Sequence, residues 1–203
     1  MSLAVCPETM RGHAKAVLDG EYALPRGYEL EDPGSLRVLD VGANIGAFSV
    51  WAQRTWPGCH VTAYEPIPAN ARMFRENCPE IKLYEAAVVG ATDGDVVEMR
   101  LGLNNCGEAS LYDLGEQSQE RVSVPTIAAW TLPPADAIKV DTEGSELRIL
   151  AGWPHLKHAS VVMLEWHRSG DRWALGHLLD RKGFDCVRDE KRHADRGIMV
   201  WVK

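Results

Sequence analysis

The run Val38-Leu39-Asp40-Val41-Gly42-Ala43-Asn44-Ile45-Gly46 holds residue types that can cradle a nucleoside ligand. Its apolar start reads as a strand, Gly42 and Gly46 as a tight turn, and a helix follows at once. Glycine permits positive φ and lets a ligand approach the backbone closely. The helix N-terminus beyond it offers unpaired N–H groups. In dinucleotide enzymes such a turn takes a pyrophosphate and uses a third glycine for helix packing. Here the spacing is G-x-N-x-G, with Asn44 where the middle glycine would stand and Ala47 three residues on. Asp40 lies on the strand itself, where its carboxylate would repel a pyrophosphate but suits the cationic amino group of a methionine moiety. The turn therefore points to S-adenosylmethionine over NAD.

Three more acidic positions extend the pattern. Glu65 follows an apolar strand and lies 19 residues beyond Gly46, close to the ~20-residue spacing at which a carboxylate grips ribose hydroxyls. In the run 138–146, IKVDTEGSE, a strand ends at Asp141 and the turn carries Glu143. Acidic side chains clustered there need a cation or a proton to coexist, which makes Asp141 and Glu143 candidates for catalysis. Glu146 reads as a carboxylate at a helix start, favoured by the helix dipole. Glu165 and His167 close the next strand. Asp141 and Glu165 on neighbouring strand ends could hold Mg²⁺ through oxygen or serve as acid and base. His167 is a candidate base for a hydroxyl or amine, since imidazole titrates near neutral pH.

The elements that must position these groups alternate. Residues 37–41 and 60–64 read as strands, 47–56 and 69–77 as helices, and 81–89 as a third strand. After Pro133-Pro134 come a strand at 137–140, a helix at 145–150, a strand at 160–164 and a helix at 173–182. Such alternation predicts a doubly wound α/β fold with a mostly parallel sheet. Ligands then bind outside the carboxyl ends of the strands, where the fourth strand lies beside the first. Residues 184–188 and 197–202 predict an antiparallel C-terminal hairpin. The middle is irregular, with β-type residues at 95–101 and 121–124 around a Gly- and Asn-rich stretch. Residues 1–34, broken by glycine and proline, predict an N-terminal helical cap on a catalytic domain of residues 35–203.

Composition narrows the partners. The chain has 203 residues, 45% hydrophobic and 25% charged, enough for one sizeable core. A formal charge of -7 gives no long-range attraction to nucleic acid or anionic lipid, and there is no N-P-P-Y or D-P-P-Y base-amine motif. Five widely spaced cysteines form no C-x-x-C pair, which reads as reduced thiols in a cytoplasmic protein. No segment approaches the ~20 apolar residues of a membrane span. The acceptor is expected to be a small molecule, with neither nucleic acid nor membrane as partner.

These motifs resemble the FkbM-type methyltransferases, a branch of the class I S-adenosylmethionine-dependent enzymes. The likeness rests on VLDVGANIG from Val38, YEP from Tyr64 and IKVDTEGSE from Ile138, with LEWH from Leu164 and GEY from Gly20 in support. It implies a Rossmann-like seven-stranded sheet with an antiparallel last strand. The activity implied is methyl transfer from S-adenosylmethionine, usually to oxygen of a small molecule, sugar or secondary metabolite. Asp40, Gly42, Asn44, Gly46 and Glu65 fall on the cofactor positions, and Asp141 and Glu143 on the acidic motif after the fourth strand. Asn104, Asn105 and Ser110 are similar to a family loop of N-x-G-x-x-S type. With no appended domain, the acceptor pocket is expected from the cap and residues 102–120. N-methylation of a small amine and a non-catalytic binding module are the competing readings. An NAD-dependent oxidoreductase is disfavoured by the broken glycine pattern.

Overall fold

The computed structural model describes residues 3–30, 32–90, 94–102, 109–110 and 118–203. Along the chain, α1 (Arg11–Leu18) precedes β1 (Arg37–Val41), α2 (Ala47–Thr55), β2 (His60–Tyr64), α3 (Pro68–Asn77) and β3 (Lys82–Tyr84). Then come β4 (Ala87–Val89), β5 (Val96–Gly102), β6 (Ala109–Ser110), β7 (Ser118–Ala128) and β8 (Ala137–Val140). The last third holds α4 (Glu146–Gly152), β9 (Val161–Trp166), α5 (Ser169–Arg181), β10 (Asp185–Lys191) and β11 (Gly197–Val202).

Seven strands form the main sheet in the order β10-β11-β9-β8-β1-β2-β3. β8 lies at its centre, parallel to β1 and β9. Covered on both faces, it carries the near-continuous apolar run expected of a central parallel strand, with Ala137, Ile138 and Val140 fully buried. β11 runs antiparallel to β9 and β10. That reversal brings the β10–β11 turn to the carboxyl ends of the parallel strands, where the first register pair is Gly197 with Trp166. The predicted hairpin and doubly wound sheet are both present.

One sequence expectation fails. The single strand at 81–89 is two strands in different sheets: β3 closes the main sheet beside β2, whereas β4 pairs with β7 in a four-stranded sheet, β4-β7-β5-β6. An apolar run shows that a segment is buried but carries no information about which edge it pairs with. Ala87, Val89, Met99 and Val124 of the four-stranded sheet pack with Ile67 into a small core. Among the described residues of the middle of the sequence, β5 and β7 form an antiparallel ribbon.

The N-terminal residues share the main core. Met10, Ala14 and Val17, spaced for one face of a helix, bury against Phe48 and Trp51 of α2, together with Tyr22. Tyr22 meets Phe48 edge to face, with ring centroids 5.6 Å apart. Among the described residues no helix is long and apolar enough to cross a membrane.

Candidate active site

A cavity of about 290 Å³ opens at the carboxyl ends of β1, β2, β8 and β9. Its walls come from the β1–α2 turn, the segment after β2, the acidic strand ends and the β10–β11 turn. Ligand pockets of roughly 300–1,000 Å³ are usual for small molecules.

The β1–α2 turn is bent by backbone requirements. Gly42 has φ +78°, and a Cβ there would lie 1.8 Å from the Asp141 carbonyl oxygen, so no side chain fits. The N–H groups of Gly42 and Ala43 both donate to the Tyr64 carbonyl. Asn44 also adopts a left-handed conformation, which asparagine tolerates better than most residues. Its N–H donates to Glu65 Oε2 at 2.8 Å. Gly42 and Asn44 line the cavity, but Gly46 does not. A Cβ on Gly46, at φ +93°, would meet Cys78 Sγ at 2.7 Å and Phe74 at 3.2 Å. Gly46 thus lies off the cavity lining, where its missing Cβ lets α2 pack on α3. Gly46→Ala should cost stability, about 1–3 kcal/mol from overpacking, read by denaturant unfolding; a change within error would contradict this packing role.

Glu65 is buried at 4% exposure. Its Oε1 accepts from the Ile67 N–H at 2.9 Å and Asn70 Nδ2 at 3.3 Å. Burial pushes its pKa up to about 7 against these hydrogen bonds. A carboxylate has about four acceptor positions, and three are taken, leaving one on Oε2. The Oδ1 of Asn44 is buried with no hydrogen-bond partner among the described residues.

Asp40 does not line the cavity. It is fully buried beneath the turn, accepts from Ser49 Oγ at 2.7 Å and lies 3.4 Å from Lys139 Nζ. In this position Asp40 meets Lys139 and Ser49 beneath the turn and is not among the residues lining the cavity. Lys139, which the motif reading passed over, donates to the Gly42 carbonyl at 2.6 Å and lies 3.6 Å from Asp141 Oδ2. Burial alone would lower its pKa, but Asp40 and Asp141 outweigh burial and raise it. A charged lysine flanked by Ile138 and Val140 in a central strand was the available signal, since a buried charge requires partners.

Asp141, Glu143, Glu165 and His167 converge, as their positions on neighbouring strand ends require. Asp141 accepts from the Tyr22 hydroxyl at 3.3 Å. Burial works to raise its pKa, yet Lys139 and His167 prevail and hold it below the ordinary carboxylate value. Burial raises Glu143 to about 7 and, reinforced by Asp141, Glu165 to about 8. Glu146 is fully buried and accepts from the Thr142 and Gly144 N–H groups at 2.9 and 3.0 Å. It also lies 3.1 Å from His167 Nδ1. Beyond a helix-start carboxylate, then, Glu146 shapes the acidic turn and anchors the imidazole.

His167 Nε2 is 3.2 Å from Glu143, 3.9 Å from Asp141 and 4.0 Å from Glu165. Burial would lower its pKa, but Glu146, Glu143 and Asp141 together raise it to about 10. The surrounding carboxylates favour its protonated form, which argues against a base near neutral pH. Ligand atoms of Asp141, Glu165 and His167 lie within 4.8 Å of one another; Mg²⁺ takes oxygen donors, so of these three only the two carboxylates suit it.

Asn104 and Asn105 lie outside the described residues, as does most of the 102–120 segment; of Ser110 only the backbone, in β6, is described. Among the aromatic residues, Tyr22, Trp153 and Trp166 are core, while Trp130 and Trp173 are exposed.

Seven strands wound outward from β1 and β8, with only β11 running backward, define the Rossmann-like class I methyltransferase architecture. Within that class, the chain belongs to the FkbM methyltransferase family: the methyltransferase FkbM domain matches residues 40–189. It is similar to methyltransferase sdnD of Sordaria araneosa, at 27% identity over 84% of this chain and 82% of the relative. It is also similar to 31-O-demethyl-FK506 methyltransferase FkbM of Streptomyces tacrolimicus, at 29% identity over 82% of this chain and 78% of the relative. A crystal structure of methyltransferase FkbM from Methylobacillus flagellatus KT superposes with a TM-score of 0.56 at 17% identity. That superposition covers 92% of this chain and 48% of the other.

Proposed function

We propose that the chain transfers a methyl group from S-adenosylmethionine to a hydroxyl oxygen of a small molecule. The observation that carries the donor is the acceptor position left vacant on Glu65, which lines the cavity next to the Gly42–Asn44 turn. A carboxylate with spare acceptor capacity suits a ribose hydroxyl. Gly42 and Asp141 then flank the methionine end, and Lys139 holds Gly42 in place from below. When bound, S-adenosylmethionine supplies a methyl group already activated on a sulfonium, so the protein contributes alignment, dryness and proton removal.

An alcohol that becomes an ether must lose its proton, and the strand-end carboxylates are placed to take it. Glu165, with its pKa near 8, is the acceptor best matched to neutral pH. Asp141, kept ionised by Lys139 and His167, orients the hydroxyl. The name of the Streptomyces relative, a 31-O-demethyl-FK506 methyltransferase, supports an oxygen acceptor.

Calorimetry tests the donor: one S-adenosylhomocysteine should bind per chain and NADH should not, and the reverse result ends this reading. The pH–rate profile tests the proton acceptor. A protonated carboxyl cannot accept, so kcat/KM should fall as pH drops through about 8, the Glu165 value, and about 7, the Glu143 value. It should fall again above about 10, where His167 loses its charge. A profile flat from pH 6 to 9 would remove the carboxylate from the chemistry.

A further inference from the structure

Resting on the proposed transfer, a second question is what kind of acceptor the cavity takes. The floor is acidic, but the wall opposite is basic. Arg192, His193 and Arg196 on the β10–β11 turn all line the cavity, with His13 of α1 beside them. This turn is built rather than loose. The N–H groups of Arg192 and His193 both donate to the Arg196 carbonyl, at 3.1 and 3.0 Å. Arg192 pairs with the buried Glu21, and Arg188 Nη1 donates to the Glu21 carbonyl at 2.7 Å. The turn is thus braced against the segment that delivers Tyr22 to Asp141.

Arg196 differs from its neighbours. Its guanidinium is half-buried and, among the described residues, makes no hydrogen bond or ion pair. It is near enough to Glu143, Glu165 and His13 to act on their charge, yet binds none of them. A guanidinium fork fits carboxylate or phosphate through two parallel hydrogen bonds, so an unpaired one at a cavity wall is a ready anion site.

Its place in the sheet assigns the anion to the acceptor. Gly197 is opposite Trp166, so Arg196 emerges one residue beyond the ladder, beside His167. From β2, which ends at Glu65, the order runs through β1, β8 and β9 to β11. Four strand spacings are about 19 Å of sheet. The donor's nucleoside lies at the first end and its methionine moiety over β1 and β8, leaving the β9–β11 end for the second substrate.

We propose that the acceptor carries an anionic group, carboxylate or phosphate, near its reacting hydroxyl, and that Arg196 holds this group. The test uses protein saturated with S-adenosylhomocysteine and titrates a panel of small hydroxy acids and sugar phosphates. Each is paired with its neutral methyl ester or dephosphorylated counterpart. At least one anion should bind tenfold or more tightly than its neutral partner. Arg196→Ala should abolish that preference and Arg196→Lys retain part of it, both leaving S-adenosylhomocysteine affinity within twofold. Equal binding of the neutral partners, or binding of no member of the panel, overturns the proposal. A tenfold loss of S-adenosylhomocysteine affinity in Arg196→Ala also overturns it, by giving the guanidinium to the donor's own carboxylate. Failure of the wild type to bind S-adenosylhomocysteine at all would instead refute the donor assignment.

Discussion

Glu65→Ala is expected to weaken S-adenosylhomocysteine binding by roughly a hundredfold or more. One contribution is the lost hydrogen bond from a ribose hydroxyl to a carboxylate, worth about 1.5–3 kcal/mol. The other comes from the unliganded protein. Glu65 joins the N–H of Asn44 to that of Ile67, so its removal frees the turn, and binding must then reorder it. Glu65→Gln should fall between, because an amide offers one oxygen where two are used, and its NH₂ faces a donor. The wild type carries its own control. With a pKa near 7, Glu65 gains a proton as pH falls, loses an acceptor position, and affinity should decline below neutrality. Calorimetry across pH 5.5–8 reads both effects; an affinity within threefold of wild type in Glu65→Ala would sink the assignment.

Asp141→Asn is expected to reduce kcat by about 10²–10³-fold, with donor affinity weakened by a smaller factor because Asp141 also flanks the methionine end. The substitution keeps the side chain's size but removes the charge that Lys139, His167 and Tyr22 all address. Glu165→Gln should lower kcat by a similar factor, about 10²-fold, but the two variants differ in pH dependence. Loss of the proton acceptor flattens the acid limb of the profile, whereas loss of the orienting charge lowers the whole curve and preserves its shape. Single-turnover kinetics over pH 6–10 separates them. Identical profiles for both variants would show that neither role has been assigned correctly.

Much of the fold was legible because periodicity reports burial. The apolar runs at 37–41 and 137–140 coincide with β1 and β8, and the run at 160–164 and the helical patterns fall within four residues of β9 and the helices. The break inside 81–89 was not legible, because β3 and β4 are equally apolar to a reader of sequence and differ only in partner. At the site, Glu65, Asp141, Glu143, Glu165 and His167 were each found from strand ends, which topology sends to one crevice. What their protons do was not, since each pKa depends on neighbours distant in sequence.

Local spacing determined the glycine turn, the acidic strand ends and the doubly wound order, because each depends on residues adjacent in the chain. Only the tertiary structure decided that Asp40 pairs with Lys139, that carboxylates gather around His167, and that Arg196 of the last hairpin lines the cavity. The reason is electrostatic: a charge's state is set by what lies within a few ångströms of it. For these residues those neighbours are 99, 21 and tens of positions away along the chain.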